Sequence, residues 1–356
     1  MKILFLVPYP LRQSPSQRFR FEQYFGFLSQ KGIEFKVKTF LKPDNWRVFY
    51  SEGNSFLKAA LIIKGFTERL ISLFEIPPYD FIFIHREATP IGPPFFEWII
   101  AKVFRKRIIY DFDDAIWLTD KKNESWIVKT VRWRSKVESI CKWSYKVSAG
   151  NAYLAAFAKR VNGNVVINPT TVDTENVHVE GFKDSSGERI VIGWTGSHST
   201  LKYLKELEPA LLRLEAKFAH VDFWVIADKP PNMRLPRLYF RPWSSETEVS
   251  DLAQFDIGIM PLPDDEWTKG KCGFKALQYM AMEIPTVASA VGVNTTIISH
   301  GVNGFLVKDN NEWETFLSRL IEDKSLRKSL GKEGRKTLDL NYSVLSNRER
   351  FTLLFS

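Results

Sequence analysis

Short apolar runs rich in β-branched and aromatic residues punctuate the first half of the chain. They fall at Ile3–Val7, Phe35–Thr39, Phe81–Ile84, Arg107–Tyr110, Lys146–Ala149 and Asn164–Ile167. Between them lie longer stretches with 3.6-type spacing, such as Phe19–Lys31 and Pro94–Phe104. Such alternation predicts parallel strands joined by crossover helices on both faces of a sheet. The pattern then restarts, with strands at Ile190–Trp194, Asp222–Ala227, Leu238–Phe240, Ile257–Met260, Thr286–Ser289 and Phe305–Val307. Helical patterns at Leu201–Phe218, Glu246–Gln254 and Phe274–Met282 separate these strands. Two α/β series predict two domains, residues 1–170 and 190–340, each long enough for its own core. Asn168 to Glu188 has no sustained periodicity and reads as the junction, with the linker at 171–189. The tail predicts helices at Glu312–Glu322, Lys324–Asp339 and from about Val344.

Charge divides unevenly over these halves. The net charge is +9, yet residues 1–170 hold 27 lysines and arginines against 15 acids, and residues 171–356 hold 23 against 26. A basic first half points to an anionic surface or substrate: membrane lipid, a lipid-linked acceptor, or nucleic acid. No nucleic-acid-binding motif accompanies it, so nucleic acid is set aside. Two distant cysteines, Cys141 and Cys272, suit a reducing compartment without disulfides. Five scattered histidines give no zinc spacing.

Nor does the sequence predict a membrane span. Ile3–Val7 is too short for a signal peptide and is ended by Pro8. The apolar stretch Phe56–Ile76 carries Lys58, Lys64, Glu68 and Arg69, costly inside a bilayer. The expectation is a cytoplasmic protein, soluble or peripheral on the inner face of the membrane. Trp126, Trp133 and Trp143, interleaved with Lys129, Arg132 and Lys136 on a predicted helix, fit an anionic membrane face. An ordinary amphipathic helix shows both faces too.

Candidate chemistry sits just after predicted strands, where open α/β sheets bind ligands. The densest segment is Gly270–Ala281. Its glycines open a helix whose first turn carries Lys275 after Lys271, with Gln278 one turn on and facing the same way. Unpaired N–H groups and the positive dipole end there attract phosphate. An ordinary helix–strand joint reads similarly. Asp111-Phe-Asp-Asp114 packs three carboxylates into four residues. It fits a helix N-terminus, a metal-binding D-x-D pair, a catalytic acceptor of hydrogen bonds, or an ion-pair partner for basic neighbours. Arg18 and Arg20 follow the first strand behind Ser14 and Ser16, candidate helix caps. His85-Arg86-Glu87 follows the third strand.

Gly273-Phe-Lys-Ala-Leu-Gln-Tyr-Met-Ala281, with Ile284-Pro-Thr-Val-Ala-Ser289 and Gly301-Val-Asn-Gly-Phe-Leu306, resembles the donor half of a family 4 glycosyltransferase. Met1–Pro8, Val166–Asp173 and Ile190–Gly196 extend the resemblance over nearly the whole chain. It implies a GT-B fold: two Rossmann-like domains facing across a cleft, with a final helix, 341–356, packing back on the first. It implies retaining transfer of a sugar from a nucleotide-sugar, UDP- or GDP-linked. The acceptor would be a glycan or lipid-linked molecule, in cell-surface polysaccharide or glycolipid assembly. The nucleotide-sugar would be a co-substrate, with no metal and no further cofactor.

By resemblance, Gly273, Phe274, Lys275 and Lys202 face the diphosphate, beside Trp194, Gly196 and Ser197. Gln278 takes the ribose, Trp243 the base, and Lys271 lies near the sugar. Asp113, with Asp114, takes the catalytic contact, and Arg18, Arg20, His85, Arg86 and Glu87 surround the acceptor. Three departures stand out. The E-x7-E pattern is reduced to Gly270 and Gln278; the arginine expected in the loop after Trp194 is missing; and Asp113 replaces the family's histidine. They keep two rivals open: a metal-dependent GT-A-like transferase using Asp111 and Asp113, and a non-catalytic nucleotide- or glycan-binding subunit. A dehydrogenase lacks its G-x-G-x-x-G.

Overall fold

The computed structural model describes residues 1–50, 53–120, 124–179 and 189–356. They form two compact units, one of Met1–Thr170 with Arg348–Ser356 and the other of Thr171–Asn347. The first is built on six parallel strands: β1 (Lys2–Val7), β2 (Glu34–Thr39), β3 (Phe81–His85), β4 (Arg107–Phe112), β5 (Lys146–Ala149) and β6 (Val165–Ile167). Their order, β2-β1-β3-β4-β5-β6, puts a switch point between β1 and β3. Strands covered on both faces must be apolar throughout, and Ile3–Val7 and Phe81–His85 are buried at every residue. Phe5 lies at the centre, its ring within 6 Å of Phe21, Phe25, Phe35 and Phe83.

The end of the chain completes this core. Phe351 stacks on Tyr24 at 4.3 Å, and Phe355 packs edge-on against Phe81. Lys146 fixes the terminal turn by donating to the carbonyl of Leu353 at 2.7 Å. The division between units falls within the last helix, Val344–Thr352, and not at residue 341.

The second unit repeats the plan with β7 (Ile190–Gly196), β8 (Val221–Ala227), β9 (Leu238–Pro242), β10 (Ile257–Met260), β11 (Thr286–Ser289) and β12 (Phe305–Val307). The order β12-β11-β10-β7-β8-β9 puts its switch point between β7 and β10. Glycine permits close packing at both of these strands. A Cβ on Gly193 would lie 2.1 Å from the Phe255 ring, and one on Gly258 2.4 Å from Tyr279.

Several helices differ from the sequence pattern. Leu201–Phe218 is two helices, Leu201–Glu206 and Glu208–Lys217, because Pro209 favours a fresh first turn. Phe19–Lys31 is a broken series of short turns ending in the helix Phe25–Gln30. The tryptophan-rich helix breaks at Trp133, whose φ of +48° ends Trp126–Arg132 before Lys136–Trp143 begins. Pro94–Phe104 starts as α-helix and widens to a π-turn over Ile99–Val103. Of the expected linker, 171–179 belongs to the second unit, where Val172 bridges to Ser343. Residues 180–188 lie outside the described residues. Among the described residues no helix is long and apolar enough to cross a membrane.

Candidate functional site

In the first unit the charged residues gather at the C-terminal ends of β3 and β4. Adjacent parallel strands set His85 opposite Asp111. Asp111 is fully buried, and both of its oxygens are occupied. Ser148 donates to Oδ1 at 2.6 Å, His85 Nδ1 lies 2.8 Å from Oδ2, and Arg20 pairs with the carboxylate through Nη2 and Nε. Burial alone would raise the Asp111 pKa. The Arg20 charge and the hydrogen bonds from His85 and Arg20 reverse that and hold it well below the usual carboxylate range. Asp111 is therefore an internal counter-ion. It offers no vacant lone pair of the kind a D-x-D metal ligand needs.

Arg20 is itself only 1% exposed and also donates to the carbonyl of Asn168. It supports the strand ends from beneath and does not face an acceptor as expected. His85 is buried too, and its Nε2 has no hydrogen-bond partner. Arg18 lays its guanidinium 4.9 Å from the Phe19 ring centre, half-buried. Ser14 stands at the cap position, but its hydroxyl meets Ser16 and makes no cap bond.

Arg86, Asp113 and Asp114 form a second, more open cluster. Arg86 Nε donates to Asp113 Oδ1 at 2.8 Å, and Nη2 to Asp114 Oδ2 at 3.1 Å. Arg86 adopts φ +57°, a strained conformation for a side-chain-bearing residue. Its carbonyl accepts from Tyr110 at 2.7 Å and its N–H donates to the Asp111 carbonyl at 2.7 Å. Burial would raise the Asp113 pKa, but Arg86, then His85 and Arg20, bring it below its ordinary value.

Sequence reading missed the residues that hold this loop. Arg69, 2% exposed, donates to the carbonyls of Val7, Lys38 and Ala88 at 2.7–2.8 Å. Glu97 accepts from the Ala88 N–H at 2.9 Å, and Lys136 donates to Thr89 O while pairing with Glu87 at 2.8 Å. A glutamine at the β1 end acts similarly: Gln17, fully buried, both accepts from and donates to the Tyr9 backbone. The available signal was charge inside otherwise apolar helices, which ordinarily sits outside. Glu87 is thereby a partner of Lys136, held at the loop's side.

In the second unit, the start of the helix Phe274–Ala281 meets the loop after β7. Gly273 opens the helix with φ +71°, and a Cβ there would lie 2.2 Å from Ile297 Cδ1. A Cβ on Gly196 would meet the Trp194 ring at 2.5 Å and Lys275 Cε at 2.8 Å. Lys275 Nζ lies 5.4 Å from the Trp194 ring centre. Gly196, Trp194, Gly273, Phe274 and Lys275 thus come together, although Trp194 is buried in the core and supports Lys275 from below. Gln278 is 1% exposed, with Nε2 lacking a partner, an unusual state for a buried amide.

Ser197 and Lys202 are exposed; Ser197 pairs with Ser199, and Lys202 lies 5.0 Å from the Tyr203 ring. Lys271 lies over the Trp267 ring at 4.8 Å. Trp243 is half-buried against the Phe255–Tyr279 cluster and donates from Nε1 to Glu248 at 3.2 Å. A cavity of about 530 Å³ opens at the ends of β10, β11 and β12 beside Tyr203 and Trp313. Its walls include none of Gly196, Lys275 and Gln278.

Residues 189–323 match the family model described as glycosyl transferases group 1. Sucrose-phosphate synthase from Thermosynechococcus elongatus superposes with a TM-score of 0.71 at 13% identity, covering 100% of this chain and 98% of that one. A glycosyltransferase from Rickettsia africae gives 0.69 at 14% identity, covering 99% and 97%. Anabaena HepE, in complex with UDP and glucose, gives 0.64 at 15% identity, covering 99% and 98%. No curated protein matches the sequence. The two parallel six-stranded sheets with their helices match the GT-B fold of these neighbours.

Proposed function

We propose, for a chain whose residues 189–323 match the group 1 glycosyltransferases, retaining, metal-independent transfer of a sugar from a nucleotide-sugar. The acceptor is a glycan or lipid-linked molecule of cell-surface polysaccharide or glycolipid assembly, met at the cytoplasmic face of an anionic membrane. The observation that carries the reading is the approach of Lys275 to Gly196 at the opening of the helix Phe274–Ala281. An ammonium, a bare glycine backbone and the N–H groups of a helix start then lie close together, which suits a diphosphate. Anabaena HepE holds UDP and UDP-glucose on the same fold, which supports a uridine donor here. The buried Gln278 Nε2 supports a ligand one turn further on, where a ribose hydroxyl would accept its hydrogen bond.

In the first unit, Asp113, with Asp114, is our choice for the catalytic contact. A carboxylate held below its ordinary pKa by Arg86 makes a poor proton acceptor near neutral pH, since good general bases titrate close to it. Asp113 therefore orients a hydroxyl, and the departing diphosphate takes the proton. Lys275 and the helix start stabilise the charge that develops there, the main contribution a site of this kind makes to the rate. Melting curves across a panel of nucleotides and nucleotide-sugars test the reading, because a ligand confined to the folded state raises the midpoint. A UDP-sugar or GDP-sugar shift is expected; a panel without any shift overturns it.

A further inference from the structure

The helix Ser55–Leu73 is amphipathic the wrong way round. Its inner face is Leu61, Gly65, Arg69 and Ser72. Gly65 lets it approach Phe40, whose ring would stand 2.6 Å from an added Cβ. Its outer stripe, at helical spacing of three and four, runs Phe56, Ala60, Ile63, Thr67, Leu70 and Phe74. Phe56 is 96% exposed, Phe74 86% and Ile63 67%. A surface helix ordinarily shows water its polar side.

Two neighbours extend this face. Phe66 meets Phe96 at 6.1 Å, joining the helix to the segment that exposes Phe95 and Trp98. The Gly92 N–H donates to Val131 O at 2.8 Å, tying in the helix Trp126–Arg132, where no residue is buried. Among the described residues, 14 of the 26 exposed large apolar side chains fall between Phe56 and Trp133, an apolar surface of the kind that marks an interaction site. Lys64, Lys102, Arg105, Lys129 and Arg132 are exposed among them. The acids of the same segments are engaged, Glu68 with Lys42 and Glu97 beneath the surface.

We propose that this face, with the helix Ser55–Leu73 lying in the plane, rests on an anionic lipid bilayer. It deepens the membrane contact of the proposed function by naming the surface that makes it. Exposed aromatic and aliphatic side chains enter the headgroup boundary while the lysines and arginines between them meet lipid phosphates. A second copy of the chain is disfavoured as the covering partner, because like basic rims would oppose each other.

Cosedimentation of the full chain with vesicles of phosphatidylcholine plus phosphatidylglycerol, and of phosphatidylcholine alone, tests the assignment. The wild type should bind the anionic vesicles, and less at high salt. Phe56→Glu, Ile63→Glu and Phe74→Glu together should cut that binding at least about tenfold, with the melting midpoint and nucleotide affinity unchanged. Wild-type binding that the triple variant retains overturns this surface and leaves the membrane reading standing. Absence of wild-type binding to either vesicle removes both. A wild-type dimer that the triple variant dissolves, measured by light scattering, assigns the face to a second copy and also overturns the proposal.

Discussion

His85 and Asp111, 26 residues apart in sequence, meet with Nδ1 2.8 Å from Oδ2 at the ends of adjoining strands, both fully buried. Arg20 meets both oxygens of the same carboxylate, so the three form a buried hydrogen-bonded cluster distinct from the Arg86–Asp113–Asp114 group. The arrangement turns an apparent run of three equivalent acids into one fully buried carboxylate and two half-buried ones that share Arg86.

Asp111→Asn should therefore cost stability ahead of chemistry. Removing one partner of a buried pair leaves Arg20 uncompensated, at about 3–5 kcal/mol. Urea unfolding followed by tryptophan fluorescence measures the loss. The pH dependence has a definite sign. The folded pKa of Asp111 lies below its unfolded value, so the contribution is present above about pH 4 and is lost as the pH falls through the folded value. Unchanged stability in the variant would return Asp111 to the list of ligand-facing groups.

Gly196→Ala should mimic Lys275→Ala in nucleotide binding. The new methyl would enter the space of Lys275 Cε and the Trp194 ring, pushing the ammonium off its position. A charge-assisted hydrogen bond is worth about 1.5–3 kcal/mol, so calorimetry should record roughly ten- to hundredfold weaker binding of the nucleoside diphosphate in each. Because both act on one contact, the double variant should lose little more than either single one. Full additivity would separate the two residues.

Gln278→Leu separates ligand contact from packing. The amide Nε2 is buried without a partner, so an apolar replacement of similar size should leave the free protein as stable as before or more so. Affinity for the nucleoside diphosphate should nevertheless fall, on the order of tenfold, while affinity for inorganic pyrophosphate stays put. An equal loss for both anions would move Gln278 from the ribose to the phosphates.

Asp113→Asn should lower kcat by on the order of a hundredfold and leave nucleotide affinity in the second unit untouched. Transfer by the wild type should persist in excess EDTA, since basic side chains and a helix start neutralise the donor. Complete loss of activity, restored by Mn²⁺ or Mg²⁺, would bring a divalent ion back to these carboxylates.

Periodicity alone determined the two α/β series, because strands buried on both faces and helices buried on one leave different spacings in the chain. The placement of Gly273, Lys275 and Gln278 on one helix and its opening turn was legible for a related reason: that geometry is local. Three things were decided only by tertiary structure. Arg20 read as an acceptor-facing charge and Asp111 as one of three adjacent acids, and only the packing of the segment after β1 against β4 and β5 encloses them together. Lys136, read with Lys129 and Arg132 as facing a membrane, is instead enclosed with Arg69 and Glu97, because the helices carrying them pack around the loop after β3. The outward face of Ser55–Leu73 was hidden for the opposite reason. Its period is helical, but spacing cannot say which side of a helix meets the sheet when Gly65 and Arg69 take the inner face and phenylalanines the outer one.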